Sequence, residues 1–414
     1  MFVIRQATLD DLPTLLKLAK MVHFINLPAD KDLLAEKIQA SRLSFTGKEA
    51  HARDREWMFV LEDTVSGAVI GTSALIGCVS WHGHPHLYFQ VRKREHYSKD
   101  LGTGQVHVTI QLGSDESGAS EVGGLILSPG YRGHPEKLGA LLSLVRFHFI
   151  GLHRAKFSPV ILAEMMGALD PNSHTPLWEY LGRRFINLSY AEADLFSTKS
   201  KEFIQSLFPK SEIYISLLPP EARNLIGKVG DETVPALRML EKQGFREMDH
   251  VDPFDGGPYL QARRDEIPLV TSTARLKVAS LGRGNAEAIV SSQDPEHGFR
   301  AVRTRVSVSG SSVRLPGDAA EALGAVVGSS VGVTLLPEPG RRSRGAARAT
   351  ASKRQASSTT GRGKAQGKTR GKFPGKFPGK ARGTSRGKAR PASGAVKSAT
   401  RTKGAQGRVR RVGR

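Results

Sequence analysis

The chain has 414 residues, more than one ordinary hydrophobic core accommodates, which indicates two or three domains. Its formal net charge of +22 is concentrated at one end: of 61 Lys and Arg residues, 24 lie in Arg341–Arg414, which has no Asp or Glu. This leaves 37 basic against 39 acidic residues in Met1–Gly340, so the excess positive charge belongs to the tail. The single cysteine, Cys78, excludes an intramolecular disulfide and a multi-thiolate metal site, and favours a reducing, cytoplasmic location.

The first part of the chain alternates short apolar strands with amphipathic helices, a pattern typical of a mixed α/β (α+β) fold. In chain order it predicts strand Val3–Arg5, helices Thr8–Ala19 and Asp32–Ser41, strands Trp57–Glu62, Val69–Ile76, Leu87–Arg92, Val106–Leu112 and Glu121–Leu127, helix Pro135–Leu152, strand Val160–Glu164, helix Thr175–Leu181 and strand Arg184–Leu188. The N-terminus lacks the features of an export signal, and no apolar stretch approaches the length of a membrane span. We therefore expect no membrane partner.

The second part begins with a helical region at Glu221–Ile226, followed by a helix over Val234–Gln243 that Gly244 ends. The segments LWEYLGRRF at Leu177 and MLEKQGFRE at Met239 share an order of helix, glycine, aromatic residue and strand, which suggests two related halves. From residue 269 the pattern becomes strand-rich, with one short helix at Ala319–Leu323. The predicted organisation is therefore 1–192, 193–268, a small β-rich domain at 269–338 and a tail at 339–414.

The tail is rich in Gly, Ala, Ser, Thr, Lys and Arg, a composition that cannot bury enough apolar surface to fold. It is predicted to be disordered. Its positive charge suits sequence-independent binding of nucleic acid through residues 341–414, with Phe373 and Phe377 available to stack on bases. An equally good interpretation is a solubilising extension without a specific partner.

Four segments of the chain stand in a recognisable order: VIRQATLDDLPTLLKLAK at Val3, EVGGLILSPGYR at Glu121, GALLSLVRF at Gly139 and LWEYLGRRF at Leu177. In this order the chain resembles the GNAT acyltransferase superfamily. The resemblance implies a strand whose free backbone groups pair with the pantetheine arm of an acyl-CoA, followed by a helix whose N-terminal amides face the pyrophosphate. On the residues alone, an apolar strand before a glycine-containing turn is more often ordinary core.

A longer colinear set of segments extends over about residues 1–340. These segments are LPAD at Leu27, FVLED at Phe59, SEVGGLILSPGYR at Ser120, LLSLVRF at Leu141, AEM at Ala163, PLWEYLGRRF at Pro176, AEADLFS at Ala191, FIQSLFPKSEIY at Phe203, PEARNLIGKV at Pro220, ALRMLEKQGF at Ala236 and DPFDGGP at Asp252. Together they resemble the arginine N-succinyltransferase family. The resemblance implies tandem GNAT-like halves, an oligomer, and transfer of succinyl from succinyl-CoA to the α-amine of L-arginine, or of a related amine such as ornithine. Succinyl-CoA would be a co-substrate, with no permanently bound cofactor and no metal.

The resemblance also implies where succinyl-CoA would bind. Leu125 matches the family's succinyl-CoA contact and would act through its backbone, together with Ile126 and Leu127. Arg132 and Gly139 delimit the turn that would face the phosphates. Within this turn Lys137 stands where the family has a glycine, which departs from the family pattern.

A second departure concerns the proton donor. The family's histidine follows an IGxV segment, and in IGKVG that position is Gly230, which cannot transfer a proton. Three interpretations follow: a slower enzyme, a subunit completed by a partner, or a non-catalytic acyl-CoA-binding or nucleic-acid-associated protein. Candidate substitutes are His250, His174, Asp231 and Glu232, although residues of these types at such spacing are more often structural or surface residues.

An arginine substrate requires carboxylates, because a guanidinium is always charged and prefers planar acceptors. The candidates are Glu164, in the family-like AEM, and Asp252 and Asp255, in DPFDGGP. A purely turn-forming role for the two aspartates is at least as good an interpretation.

Overall fold

The computed structural model describes residues 1–21, 27–170 and 174–337. The predicted tail at 339–414 lies outside these residues. The strands of the described residues are β1 Phe2–Gln6, β2 Glu56–Asp63, β3 Ala68–Ile76, β4 His86–Ser98, β5 Thr103–Asp115, β6 Ser120–Leu127, β7 Val160–Glu164, β8 Ile213–Tyr214, β9 Arg246–Val251, β10 Pro258–Arg263, β11 Ala274–Leu281, β12 Ala286–Asp294, β13 Gly298–Ser309, β14 Ser312–Leu315 and β15 Ser330–Leu335. Their order in one sheet is β12-β15-β11-β14-β13-β1-β2-β3-β6-β7-β10-β9-β4-β5-β8.

Helices cover this sheet on both faces, which confirms the predicted mixed α/β fold. They are α1 Leu12–Ala19, α2 Lys31–Thr46, α3 Leu138–Leu152, α4 Arg183–Phe185, α5 Tyr190–Ser197, α6 Glu202–Leu207, α7 Pro220–Arg223, α8 Val234–Lys242, α9 Pro268–Ser272 and α10 Gly317–Leu323. A membrane crossing requires more length and apolar character than any helix of the described residues has.

Strand β2 shows how the sequence produces these layers. Trp57, Phe59 and Leu61 share one buried cluster with the apolar residues of α3, whereas Met58 and Val60 share another with those of α1 and α2. Side chains alternate between the two faces of a strand, so a strand covered on both faces needs a continuous apolar run. The run WMFVL meets that requirement and fixes β2 between the two helical layers.

The strands β6 and β7 separate soon after they meet. Their parallel pairing is confined to Ser120 with Ile161 and Glu121 with Leu162. Beyond it, β6 remains paired with β3 on its other side, through a bulge at which Gly124 adopts a left-handed conformation (φ 58°) that glycine enters without strain. The edge of β6 that faces β7 is therefore open toward its C-terminal end.

The C-terminal strands continue the main sheet. Strand β13 pairs with β1, with Ala301 opposite Ile4. The buried ring of His148 in α3 contacts Ser291 Oγ at 2.7 Å and Thr334 Oγ1 at 2.6 Å, which ties α3 to β12 and β15. The domain boundaries proposed from composition stay predictions.

One predicted element is wrong. Gly182 does not end its helix: a π-helical turn, Trp178–Gly182, runs directly into α4, and no strand forms over residues 184–188. Gly182 has helical dihedral angles, and a Cβ at this position would lie 2.1 Å from the Trp178 ring. This glycine is required by close packing and not as a helix cap. Gly244, with φ 86°, does follow the end of α8, so the two similar segments differ in structure.

Candidate active site

A cavity of about 690 Å³ lies where β6 and β7 separate. Its wall brings together every residue that the sequence predicted for acyl-CoA or amine binding. These residues are Leu125, Ile126, Leu127, Arg132, Gly139, Glu164, Asp252 and Asp255. They come from β6, the following turn, the first turn of α3, the end of β7 and the turn before β10.

One end of the cavity is cationic. It is formed by Arg132, Lys137 and the N-terminal turn of α3, where backbone amides and the helix dipole favour an anion. Arg132 forms a half-exposed ion pair with Glu232 at 3.3 Å. Lys137 precedes α3 in a left-handed conformation (φ 53°), and it is the single non-glycine residue with positive φ among those described. The backbone therefore keeps the shape of a glycine turn although the residue is lysine.

The other end of the cavity is acidic. Glu164, Asp252 and Asp255 line it together with Asp194, which the sequence analysis did not identify. Asp252 accepts hydrogen bonds from the backbone of Phe254 (2.7 Å) and from the Tyr259 hydroxyl (3.1 Å). Asp255 accepts from the amides of Gly257 (2.7 Å) and Gly167 (2.8 Å). The two aspartates thus shape the turn and line the cavity at once.

The carboxyl groups perturb one another because they are buried together. Burial raises the pKa of Glu164, and burial and then the Glu164 charge raise that of Asp252. Burial and then Asp252 raise the pKa of Asp255 well above its ordinary value. Burial, followed by Asp252 and Glu164, raises the pKa of Asp194 to about 7. Such shifts are expected where like charges share a site that a cationic ligand can neutralise.

Helix α5 contributes two residues to the cavity that sequence reasoning missed. Tyr190 and Asp194 are four positions apart and therefore lie on the same helix face. Ser189 begins this helix with a capping box that includes Glu192. The spacing of Tyr190 and Asp194, next to the family-like AEADLFS, is a signal that could have identified them. Burial, then Asp255, raises the pKa of the Tyr190 hydroxyl, so this group stays protonated near neutral pH.

His86 lies behind Glu164, outside the cavity wall. Its Nδ1 is 3.4 Å from Glu164 Oε1, and its ring is 4.9 Å from that of Tyr259. Burial, reinforced by Lys201, lowers the pKa of His86 to about 4, so the ring is neutral at physiological pH. A neutral imidazole next to Glu164 adds no positive charge to the acidic end of the cavity.

The candidate substitutes for the missing proton donor lie elsewhere. His250 stacks on Tyr88 at 3.7 Å and contacts Gln90 Oε1 at 2.9 Å. His174 is exposed beside Asp170, and Asp231 is exposed in the turn before α8. Of the four residues that the sequence suggested for this role, Glu232 alone lines the cavity.

Gly230, at the position of the family's histidine, is buried and bonded to the backbone. Its amide donates to Met166 O at 3.0 Å, and a Cβ added there would lie 2.9 Å from Gly167 O. The backbone leaves no space for a side chain unless the segment shifts. The site therefore combines the N-terminus of α3, an open strand edge and a group of carboxyls, with Tyr190 and Asp194 of α5 in its wall and no side chain at position 230.

This chain is similar to known proteins over most of its length. Residues 2–269 match the family model described as arginine N-succinyltransferase beta subunit. Arginine N-succinyltransferase from Yersinia pestis (strain Pestoides F) is 34% identical, covering 82% of this chain and 99% of its own; that from Escherichia coli (strain 55989 / EAEC) is 33% identical, covering 81% and 98%. The solved arginine/ornithine succinyltransferase subunit AI from Pseudomonas aeruginosa superposes with a TM-score of 0.70 at 28% identity, covering 82% and 99%. The chain belongs to the arginine N-succinyltransferase family.

Proposed function

We propose that this protein transfers the succinyl group of succinyl-CoA to the α-amine of L-arginine. The observation that supports it best is the charge arrangement of the cavity, which is cationic at the N-terminus of α3 and acidic at the end of β7, on α5 and in the turn before β10. An acyl-CoA carries its negative phosphates to the first end. A basic amino acid carries its positive side chain to the second.

Succinyl-CoA would bind along β6. The backbone of Leu125, Ile126 and Leu127 lies beyond the last residue pair shared with β7, so this edge is available to the amide groups of pantetheine. The pyrophosphate would lie against the first turn of α3, near Arg132 and Lys137. Succinyl-CoA is a co-substrate in this scheme and leaves as CoA.

Arginine would bind at the acidic end. The carboxyl groups of Asp252 and Asp255 are engaged in their own turn, so Glu164 and Asp194 are the groups best placed to accept hydrogen bonds from the guanidinium and the α-ammonium. A planar guanidinium donates to paired carboxylate oxygens more favourably than a lysine ammonium does. Binding would lower the raised pKa values of these carboxyls, because the cation favours their charged form.

The α-ammonium must lose a proton before its nitrogen can attack the thioester. An α-amine has a pKa of about 7.7–8.0, so a base with a pKa near 7 is well matched to it. The pKa of Asp194 is about 7, which makes it the proposed general base. The nitrogen then bonds to the thioester carbon and loses a second proton to solvent, the carbon–sulfur bond breaks, and the CoA sulfur takes a proton, so each turnover releases one proton.

We propose Tyr190 as the donor of that proton. Its hydroxyl lines the cavity in protonated form, one helical turn from Asp194. The proton taken up by Asp194 would return to the tyrosinate directly or through solvent, which restores both groups for the next cycle. This arrangement accounts for turnover by a chain that has Gly230 at the position of the family's proton donor.

The test uses the full-length protein with succinyl-CoA and L-arginine, and follows release of the CoA thiol and formation of N-succinylarginine. Acetyl-CoA, ornithine and lysine serve as alternative substrates. Release from succinyl-CoA that depends on arginine supports the proposal. Release that does not depend on any amine, or that is fastest with acetyl-CoA, contradicts it.

A matched pair of variants tests the acidic end. Glu164→Gln removes a cavity carboxylate, and we expect KM for arginine to rise about 10- to 100-fold because a charge-assisted contact is lost. Glu247→Gln makes the same chemical change on the exposed surface of β9 and should leave KM unchanged. An equal effect of both substitutions would show that Glu164 does not bind arginine.

Three further proposals follow from the sequence alone: a cytoplasmic location, assembly into an oligomer, and nucleic-acid binding through residues 341–414. The last proposal has a direct test, because counterion release makes such binding salt-dependent. Retention of full-length protein on duplex DNA should fall steeply between about 50 and 200 mM salt. Retention that does not change with salt would contradict it.

A further inference from the structure

Arg146 is a buried cation in the cavity wall that the scheme above does not use. It lies on α3, two turns beyond the helix start, and is 3% exposed. Its guanidinium donates to Ser143 O at 3.1 Å, to Ser143 Oγ at 2.9 Å and to Gly123 O at 3.2 Å. Each of these acceptors is a neutral oxygen, and the buried carboxyl of Glu121 is the charge that acts on the guanidinium from within the protein. An ionised group in such a place is costly unless a partner compensates it.

Arg146 lies at the opposite end of the open strand edge from the phosphate-binding turn. At one end of this edge, a Cβ on Gly139 would be 3.7 Å from the side chain of Leu127, so the start of α3 adjoins Leu127. At the other end, the guanidinium contacts Gly123, just before the point where β6 and β7 pair. Gly123 and Leu127 are four residue steps apart along the strand, a distance of about 13 Å. The cavity wall therefore has a cationic feature at each end of its strand.

Succinyl-CoA also carries negative charge at both ends of its pantetheine arm: the phosphates at one end and the free carboxylate of the succinyl group at the other. We propose that Arg146 binds this carboxylate and selects a succinyl thioester over an uncharged acyl thioester. The inference rests on the proposed function, because it assumes that the acyl-CoA lies along β6. It adds the residue that recognises the acyl group.

The chemistry of the guanidinium suits this role. It has five N–H groups, and the hydrogen bonds to Ser143 and Gly123 use three of them; in the proposed complex the succinyl carboxylate accepts from the other two. Burial lowers the pKa of Arg146 to about 10, while the nearby Glu121 raises it, so the group is charged at neutral pH. In a site with little water, hydrogen bonds between charged groups are stronger than on the surface.

The carboxyl groups of the cavity favour such a cation. In their ionised forms, Glu164, Asp194, Asp252 and Asp255 would repel the carboxylate that enters with the acyl chain. Arg132 and Lys137 belong to the far end of the strand edge and would be engaged by the phosphates. Arg146 is the cation of the described cavity wall that lies at the acyl end.

The test compares succinyl-CoA with butyryl-CoA, which has the same number of acyl carbons but no carboxylate. Dissociation constants of both thioesters and of free CoA are measured by calorimetry on the full-length protein, on Arg146→Met and on Arg146→Lys. We expect the unmodified protein to bind succinyl-CoA about 10- to 100-fold more tightly than butyryl-CoA. Arg146→Met should abolish this preference without changing the affinity for free CoA, and Arg146→Lys should retain part of it.

Arg132→Met is the matched control at the phosphate end. It should weaken the binding of both thioesters and of free CoA by the same factor, which leaves the preference for succinyl-CoA over butyryl-CoA unchanged. The inference is overturned if the unmodified protein shows no preference, or if Arg146→Met and Arg146→Lys weaken both thioesters equally, since Arg146 would then only maintain the shape of β6. Turnover is measured separately: a preserved binding preference without arginine-dependent thiol release would contradict the proposed function and leave the carboxylate site supported.

Discussion

Replacement of Asp194 by asparagine should stabilise the protein at alkaline pH while it impairs catalysis. The pKa of Asp194 is raised from 3.8 to about 7 in the folded state. Between pH 3.8 and about pH 7, the carboxyl of Asp194 is protonated in the folded protein but ionised in the unfolded chain. The contribution of Asp194 to the free energy of unfolding therefore falls as pH rises from about 4 to 7, and is lowest above pH 7.

The size of this effect follows from the pKa shift. A shift of about 3 units at about 1.4 kcal/mol per unit sets an upper limit of about 4 kcal/mol. Asp194 is only partly buried, so solvent screening should reduce the effect to about 2 kcal/mol. Asparagine cannot ionise and avoids this cost. The free energy of unfolding of the variant, relative to that of the unmodified protein, should therefore be about 2 kcal/mol higher at pH 8 than at pH 4.5.

Urea unfolding at the two pH values measures this gain, with Asp249→Asn on the exposed surface of β9 as the control. Thiol release measured at pH 8 should fall about 10²- to 10⁴-fold in Asp194→Asn, because a general base is lost. A gain in stability with a loss of activity is typical of a residue kept for function. If the difference in unfolding free energy between variant and unmodified protein is the same at both pH values, the raised pKa is refuted.

Three other substitutions test separate parts of the structure. Lys137→Gly should raise the free energy of unfolding by about 1 kcal/mol, since glycine adopts φ 53° without strain. The same change should raise KM for succinyl-CoA. An unchanged free energy of unfolding in urea would contradict the backbone strain at Lys137. Tyr190→Phe should lower kcat about 100-fold with little change in KM if the hydroxyl protonates the leaving thiolate, and an unchanged kcat would exclude that role. His148→Leu should cost about 1–3 kcal/mol in urea unfolding, because it leaves the buried Ser291 hydroxyl unpaired and removes one of the two partners of the Thr334 hydroxyl, which keeps its contact with Thr273. Combining His148→Leu with Ser291→Ala and Thr334→Val should recover part of the lost unfolding free energy. If the effects of the three substitutions simply add, the hydrogen-bond network does not couple these residues.

Elements with a strong local pattern were predicted well. Strand β7 has the predicted bounds, β3 and β6 each begin one residue earlier than predicted, and β2 is one residue longer at each end. Their apolar runs are bounded by turn residues, so the local sequence carries the information. The strand expected at residues 184–188 was wrong, because the packing of Gly182 against Trp178 lets the helix continue past the glycine. A close contact of this kind leaves no signal in a short window of sequence.

The position of α3 shows the limit of pattern reasoning at a boundary. The sequence predicted a helix from Pro135, whereas α3 begins at Leu138, after the left-handed turn at Lys137. A lysine gives no indication of such a turn, since its side chain disfavours positive φ. The conformation is imposed by the segment between β6 and α3.

The sequence by itself determined the fold class, the family and the eight residues expected at the acyl-CoA and amine ends of the site, because strand and helix periodicity and colinear motifs are local properties of the chain. Only the tertiary structure decided that those residues share one cavity, that Tyr190, Asp194 and Arg146 join them, and that His250, His174 and Asp231 do not. Burial and mutual repulsion of carboxyls depend on which distant segments pack together. For that reason the raised pKa of Asp194 and the placement of Arg146 at the end of the open strand edge could not be derived from residue order.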